Sequence, residues 1–156
     1  MSKMAQVFDY SRFVLQGKTR SIPQPKKPGL VLWEPSLGNL TVAQLLNWTQ
    51  SHEESELWIA QTQLAPEAAF RLGSGFRWGV ALPSLKHVQA SNRIDILRKA
   101  YTMAREPLFV WVEPTEVEDV LHFVELIAPF ADTLVVPEQV NLKALELFEA
   151  FKFARK

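Results

Sequence analysis

Apolar residues recur along this chain in two distinct rhythms. Short continuous runs, Gly29 to Trp33 (GLVLW), Leu57 to Ala60 (LWIA), Trp78 to Leu82 (WGVAL), Leu108 to Val112 (LFVWV) and Thr133 to Val136 (TLVV), have the length and the β-branched and aromatic content of strands covered on both faces. Between them the apolar positions spread to helical spacing. Val42, Leu45, Leu46 and Thr49 form one stripe, Ile94, Leu97, Tyr101 and Ala104 a second, and Val117, Val120, Leu121, Val124 and Ile127 a third. Leu142, Leu145, Phe148 and Phe151 form a last one, and a shorter helix is expected between Pro66 and Gly73. Thr41 with Gln44, and Thr115 with Glu118, have the three-residue spacing of a capping box, and Asn141 can cap the last helix. Strands and helices in near alternation predict an α/β fold: a mostly parallel sheet with crossover helices on both faces.

The 156 residues, 47% of them hydrophobic, are enough for one domain with its own core. Residues 1–28 read differently from the rest. Lys18, Arg20, Lys26 and Lys27 alternate there with Pro23, Pro25 and Pro28, which predicts a flexible or loosely docked N-terminal arm ahead of a single α/β domain at 29–156. The arm's apolar cluster, Phe8, Tyr10, Phe13, Val14 and Leu15, is expected to pack on its own domain.

Charge and cysteine content narrow the partners. Lys plus Arg and Asp plus Glu both number 17, so no overall positive field draws the chain to phosphate backbones, and nucleic acid is not expected as a partner. No stretch approaches the roughly 18 apolar residues of a membrane span, and no signal-peptide pattern is present. With no Cys, thiolate chemistry and disulfides are excluded, and a cytoplasmic location is the expectation.

Catalytic carriers are hard to find. Gly73-Ser74-Gly75-Phe76 lacks the Lys-Ser/Thr of a phosphate loop and precedes a strand, so no helix N-terminus would meet a phosphate. His52, His87 and His122 lie far apart, without zinc spacing, and Glu53, Glu54 and Glu56 read as a solvated turn. No G-x-S-x-G elbow is present. No catalytic, metal or cofactor residue is therefore predicted, and the chain is not expected to be an enzyme. What it does have is aromatic and arginine supply. Phe70, Arg71, Phe76, Arg77 and Trp78 cluster around one short helix and turn, and Trp and Arg are the residue types that dominate binding hot spots. Those five are the predicted protein-binding residues, while Trp33, Trp58 and Trp111, inside strands, are expected in the core.

From Gly29 to about Glu138 the succession of elements resembles SulA, the SOS-induced bacterial inhibitor of cell division that binds the tubulin-like protein FtsZ. The resemblance rests on the strand and helix of Gly29 to Trp48, the strand signature Leu57-Trp58-Ile59, Leu64 with a short helix ending at Gly73, the helix with Arg98-Lys99, and Val110-Trp111-Val112 followed by Thr115-Glu116. It implies a RecA-like fold without a nucleotide site, and a non-enzymatic inhibitor of FtsZ polymerisation, often a dimer, acting in the DNA-damage response. Where the family has a basic residue before the Leu-Trp strand this chain has Glu53, Glu54 and Glu56, and where it has a Trp in the short helix Ala68 stands, with Phe70 nearby. The family's protease-recognition tail is nearly absent after Phe151. Two alternatives remain open: a RecA-like accessory protein of the DNA-damage response related to ImuA, and an enzyme whose site is assembled from loops.

Overall fold

The computed structural model describes residues 5–35, 42–61, 76–82, 90–104, 108–112, 124–138 and 141–154. The described strands are β1 (Gln6–Asp9), β2 (Phe13–Thr19), β3 (Leu30–Pro35), β4 (Glu56–Gln61), β5 (Phe76–Leu82), β6 (Leu108–Val112) and β7 (Ala131–Val136). The helices are α1 (Val42–Ser51), α2 (Ala90–Ala104) and α3 (Asn141–Ala154), with one further helical turn at 124–127. The chain is an α/β protein whose strands form one all-parallel seven-stranded sheet in the order β1-β7-β6-β5-β4-β3-β2.

That order is sequential apart from β1, and it forces a curl. Only the 3-10 turn Tyr10–Arg12 separates β1 from β2, yet they occupy opposite edges. On a flat sheet six strand spacings would part them by about 29 Å, whereas four residue steps of extended chain reach only about 14 Å. The sheet closes the gap by rolling up. β1 and β2 are then two halves of one extended run, the first paired with β7 (Gln6↔Thr133) and the second with β3 (Phe13↔Leu30). Ring contacts across the roll agree: Phe8 of β1 lies 5.0 Å from Trp58 of β4, centroid to centroid.

The two faces of the rolled sheet have different partners. Val31, Trp33, Leu57, Ile59 and Trp78 on the convex face pack with Leu45 and Trp48 of α1. Farther round, Val80, Val110, Val112, Leu134 and Val136 pack with Leu97 of α2, Val124 and Ile127 of the helical turn, and Ala144 and Phe148 of α3. On the concave face Phe13, Leu32, Trp58, Ala60, Ala81, Phe109, Trp111 and Val135 pack on one another, joined by Phe8, Tyr10 and Leu30. Strands buried on both faces are thus as expected, and Trp33, Trp58 and Trp111 are core residues. The second covering layer is not made of described helices: the sheet's own opposite wall supplies it. A sequential parallel order without a reversal places crossovers of one hand on one side, unlike a doubly wound RecA-like sheet, where the strand order reverses.

Local packing corrects three further expectations. Residues 6–19, read as part of an arm, supply both edge strands, and their apolar residues pack on the domain as expected: Phe8, Tyr10 and the buried Phe13 in the concave core, Val14 and Leu15 against the convex cluster. In α1 the buried pair is Leu45 and Trp48, while Leu46 is 47% exposed. In α3 the inward stripe runs through Ala144, Leu147, Phe148 and Phe151, not through Leu145. Thr41, the capping box at Thr115 and Glu118, and the Pro66 to Gly73 helix lie outside the described residues.

Candidate functional site

Phe70 and Arg71 of the predicted contact surface lie outside the described residues. Phe76, Arg77 and Trp78 do not form a patch. The expected turn at Phe76 is already strand, and successive strand residues point to opposite faces. Phe76 and Trp78 therefore join the convex cluster under α1, where Trp78 is 4% exposed, and Arg77 turns to the concave side.

Arg77 sits at the N-terminal mouth of the roll, with its guanidinium 4.8 Å from the Trp58 ring centroid and ion-paired to Asp132. Its side chain is 21% exposed and that of Asp132 15%, so the pair is largely screened from water. Asp132 reaches it through an irregularity in pairing: Leu108 aligns with Ala131 and Phe109 with Thr133, leaving Asp132 as the extra residue of a bulge. The Thr133 hydroxyl donates to Asp132 Oδ1 at 2.9 Å. Nearby, Lys152 of α3 donates from Nζ to the carbonyls of Ala131 (2.6 Å) and Ala128 (3.2 Å), the second at the end of the 124–127 turn, where a cation is favourable. Burial lowers the Lys152 pKa, and the Asp132 carboxylate pulls it back up. Arg77 and Asp132 neutralise one another, while Lys152 is anchored on main-chain carbonyls.

The opposite, C-terminal mouth is the end where parallel sheets place ligands. There the Tyr10 hydroxyl donates to the Val112 carbonyl at 2.7 Å and accepts from Trp111 Nε1 at 3.2 Å, and Lys18 pairs with Glu34 at 3.5 Å. The segments 36–41, 62–75, 83–89 and 113–123, which follow β3, β4, β5 and β6 in sequence, lie outside the described residues.

Outside the two mouths, His52 stacks on Trp48 with 4.6 Å between centroids and sets Nδ1 3.1 Å from the Trp48 carbonyl. Glu53 and Glu54 are exposed in a turn, as expected, while Glu56 opens β4 and accepts from Trp58 Nε1 at 2.6 Å. Among the described residues no group of three or more His, Asp and Glu side chains could hold a metal ion, and no helix is long and apolar enough to cross a membrane.

Sequence reasoning passed over Asp132 and the polar role of Tyr10, which it placed only in an apolar cluster. Asp132 did carry a signal, a charge inserted just ahead of the apolar run Thr133 to Val136, but its partner lies 55 residues away. Tyr10 carried none, because its partners become neighbours only when the sheet rolls. Compared with protein families, with characterised proteins and with solved structures, the chain matches none of them.

Proposed function

We propose that this chain works by binding another protein, and that the partner is a tubulin-like polymerising protein of the FtsZ kind, whose assembly it blocks during a DNA-damage response in the cytoplasm. The observation that carries the reading is the SulA-like succession of residue signatures, whose described stretches fall on β3, α1, β4, α2 and β6. Its contact surface is narrower than the five residues named from sequence. Phe70 and Arg71 remain as hot-spot candidates, and the outward face of α2 adds exposed Arg98 and Lys99, the paired basic residues of the resemblance. Light scattering of FtsZ with GTP, titrated with the folded protein, tests the reading. Assembly should fall stoichiometrically; undiminished scattering at a several-fold excess of the protein rejects it.

The rolled all-parallel sheet favours a second reading, a small-molecule site or enzyme at the C-terminal strand ends. Thermal-shift screening with small metabolites separates the two: a raised midpoint together with unchanged FtsZ assembly selects this alternative.

A further inference from the structure

The segment that leaves β2 is pinned by two indoles, one on β3 and one on α1. Trp33 Nε1 donates to the Thr19 carbonyl at 3.1 Å, and Trp48 Nε1 donates to the Pro23 carbonyl at 2.8 Å. Between these pins Arg20, Ser21 and Ile22 bridge the gap to the helix, leaving an open cleft of about 290 Å³. One wall is a helical stripe, Gln44, Asn47, Trp48 and Ser51, at spacings of three, four and seven residues. Ile22 and Pro35 give it an apolar floor, and His52 lies at its end.

The lining has a one-sided chemistry. Its described residues include Arg20, carboxamides and hydroxyls, but no carboxylate. Among the described residues Arg20 makes no ion pair. The neighbouring depression differs, because there Lys26 and Lys27 share the lining with Glu53 and Glu54. Arg20 supplies the formal charge of the cleft's described lining, so in a protein of zero net charge the local field here is that of one guanidinium. A guanidinium fork beside amide and hydroxyl donors suits a planar or tetrahedral oxyanion. The volume falls just under the usual ligand-pocket range, which starts at about 300 Å³, so only a small ligand fits.

We propose that this cleft binds a small organic oxyanion, a carboxylate or phosphate ester with an apolar body, held by Arg20 with Asn47 and Ser51 assisting while the body rests on Ile22 and Pro35. The site is independent of the protein-binding reading, because it uses neither Phe70 and Arg71 nor α2.

The test follows the Trp48 and Trp33 indole N–H signals of the 15N-labelled full chain by NMR while phenyl phosphate or benzoate is added, with sodium chloride at matched ionic strength as control. Saturable shifts of the Trp48 signal with either probe are expected, and the probe that saturates first identifies the headgroup. Arg20→Ala, at an exposed position, should keep the thermal midpoint and weaken binding about ten-fold or more, with Asn47→Ala weakening it less. No saturable shift with either probe overturns the proposal. So do shifts that chloride reproduces, or an Arg20→Ala variant that binds as tightly as the parent.

Discussion

The phenol of Tyr10 and the indole of Trp111, separated by 101 residues in the chain, meet edge to face with 6.4 Å between centroids and share a hydrogen bond of 3.2 Å. Tyr10 belongs to the turn between the two edge strands, and Trp111 to β6. Because the same phenol donates to the Val112 carbonyl, one hydroxyl ties the bridging run to the far wall. Tyr10→Phe keeps the ring and removes both bonds, so a loss of about 1–3 kcal/mol is expected in urea unfolding at unchanged m-value. A loss within 0.3 kcal/mol of zero would show that the hydroxyl is not a fastening.

Gly79 faces Phe109 in register, and a Cβ there would run into the Phe109 backbone and ring. Around Gly17 on β2 nothing comes within 4 Å of a built Cβ. Gly79→Ala should therefore destabilise by about 1–3 kcal/mol or more through overpacking, whereas Gly17→Ala should stay within about 0.5 kcal/mol of the parent. Chemical denaturation of the two variants side by side checks the contrast.

Arg77 and Asp132 form a largely screened pair, so removing either partner strands a charge at the mouth of the roll. Arg77→Ala and Asp132→Ala should each cost more than the usual exposed ion pair, above about 1 kcal/mol, while the double variant costs less than their sum. If Arg77→Ala weakens FtsZ inhibition, it should do so only in proportion to lost fold, unlike Phe70→Ala or Arg71→Ala. Circular dichroism beside light scattering distinguishes the cases.

Lys152, its pKa lowered by burial, binds fewer protons when folded than when unfolded in the window below its ordinary value of 10.5. Stability from this group therefore rises with pH as that window is crossed from below, and is constant well beneath it. Lys152→Met removes that contribution. The difference in urea midpoint between parent and variant, measured from pH 7 to pH 10.5, should grow in the parent's favour at the alkaline end; a flat difference contradicts it.

Deleting residues 1–12 separates an arm from an edge. It removes β1, Phe8 and Tyr10, and with them the pairing along β7 and part of the concave core. The truncated chain should lose cooperative thermal unfolding; a sharp transition within a few degrees of the parent would return these residues to the role of an arm.

Much of the fold was legible because two-sided apolar runs such as Leu108 to Val112, all buried, admit few other readings. The roll was not, since Phe8 and Trp58 lie 50 positions apart and no periodicity reports which faces meet. The same gap misled the site. Phe76 and Arg77 read as a turn ahead of a strand beginning at Trp78, yet an arginine paired across the roll to Asp132 is compatible with strand, and the strand begins at Phe76. Spacing alone puts Leu46 and Leu145 on inward stripes, whereas the helices turn Leu45 with Trp48 and Ala144 with Phe148 to the core.

The run that borders the sheet on both sides also dictates an order of events in synthesis. Gln6 finds its partner Thr133 only 127 residues later, an interval of about 6–25 s at ordinary translation rates. Phe13 to Thr19 can pair with β3 early, but Gln6 to Asp9 must wait, leaving an unpaired edge strand, with Val7 and Phe8 uncovered, that another nascent chain could capture. High contact order of this sort slows the closing step of folding.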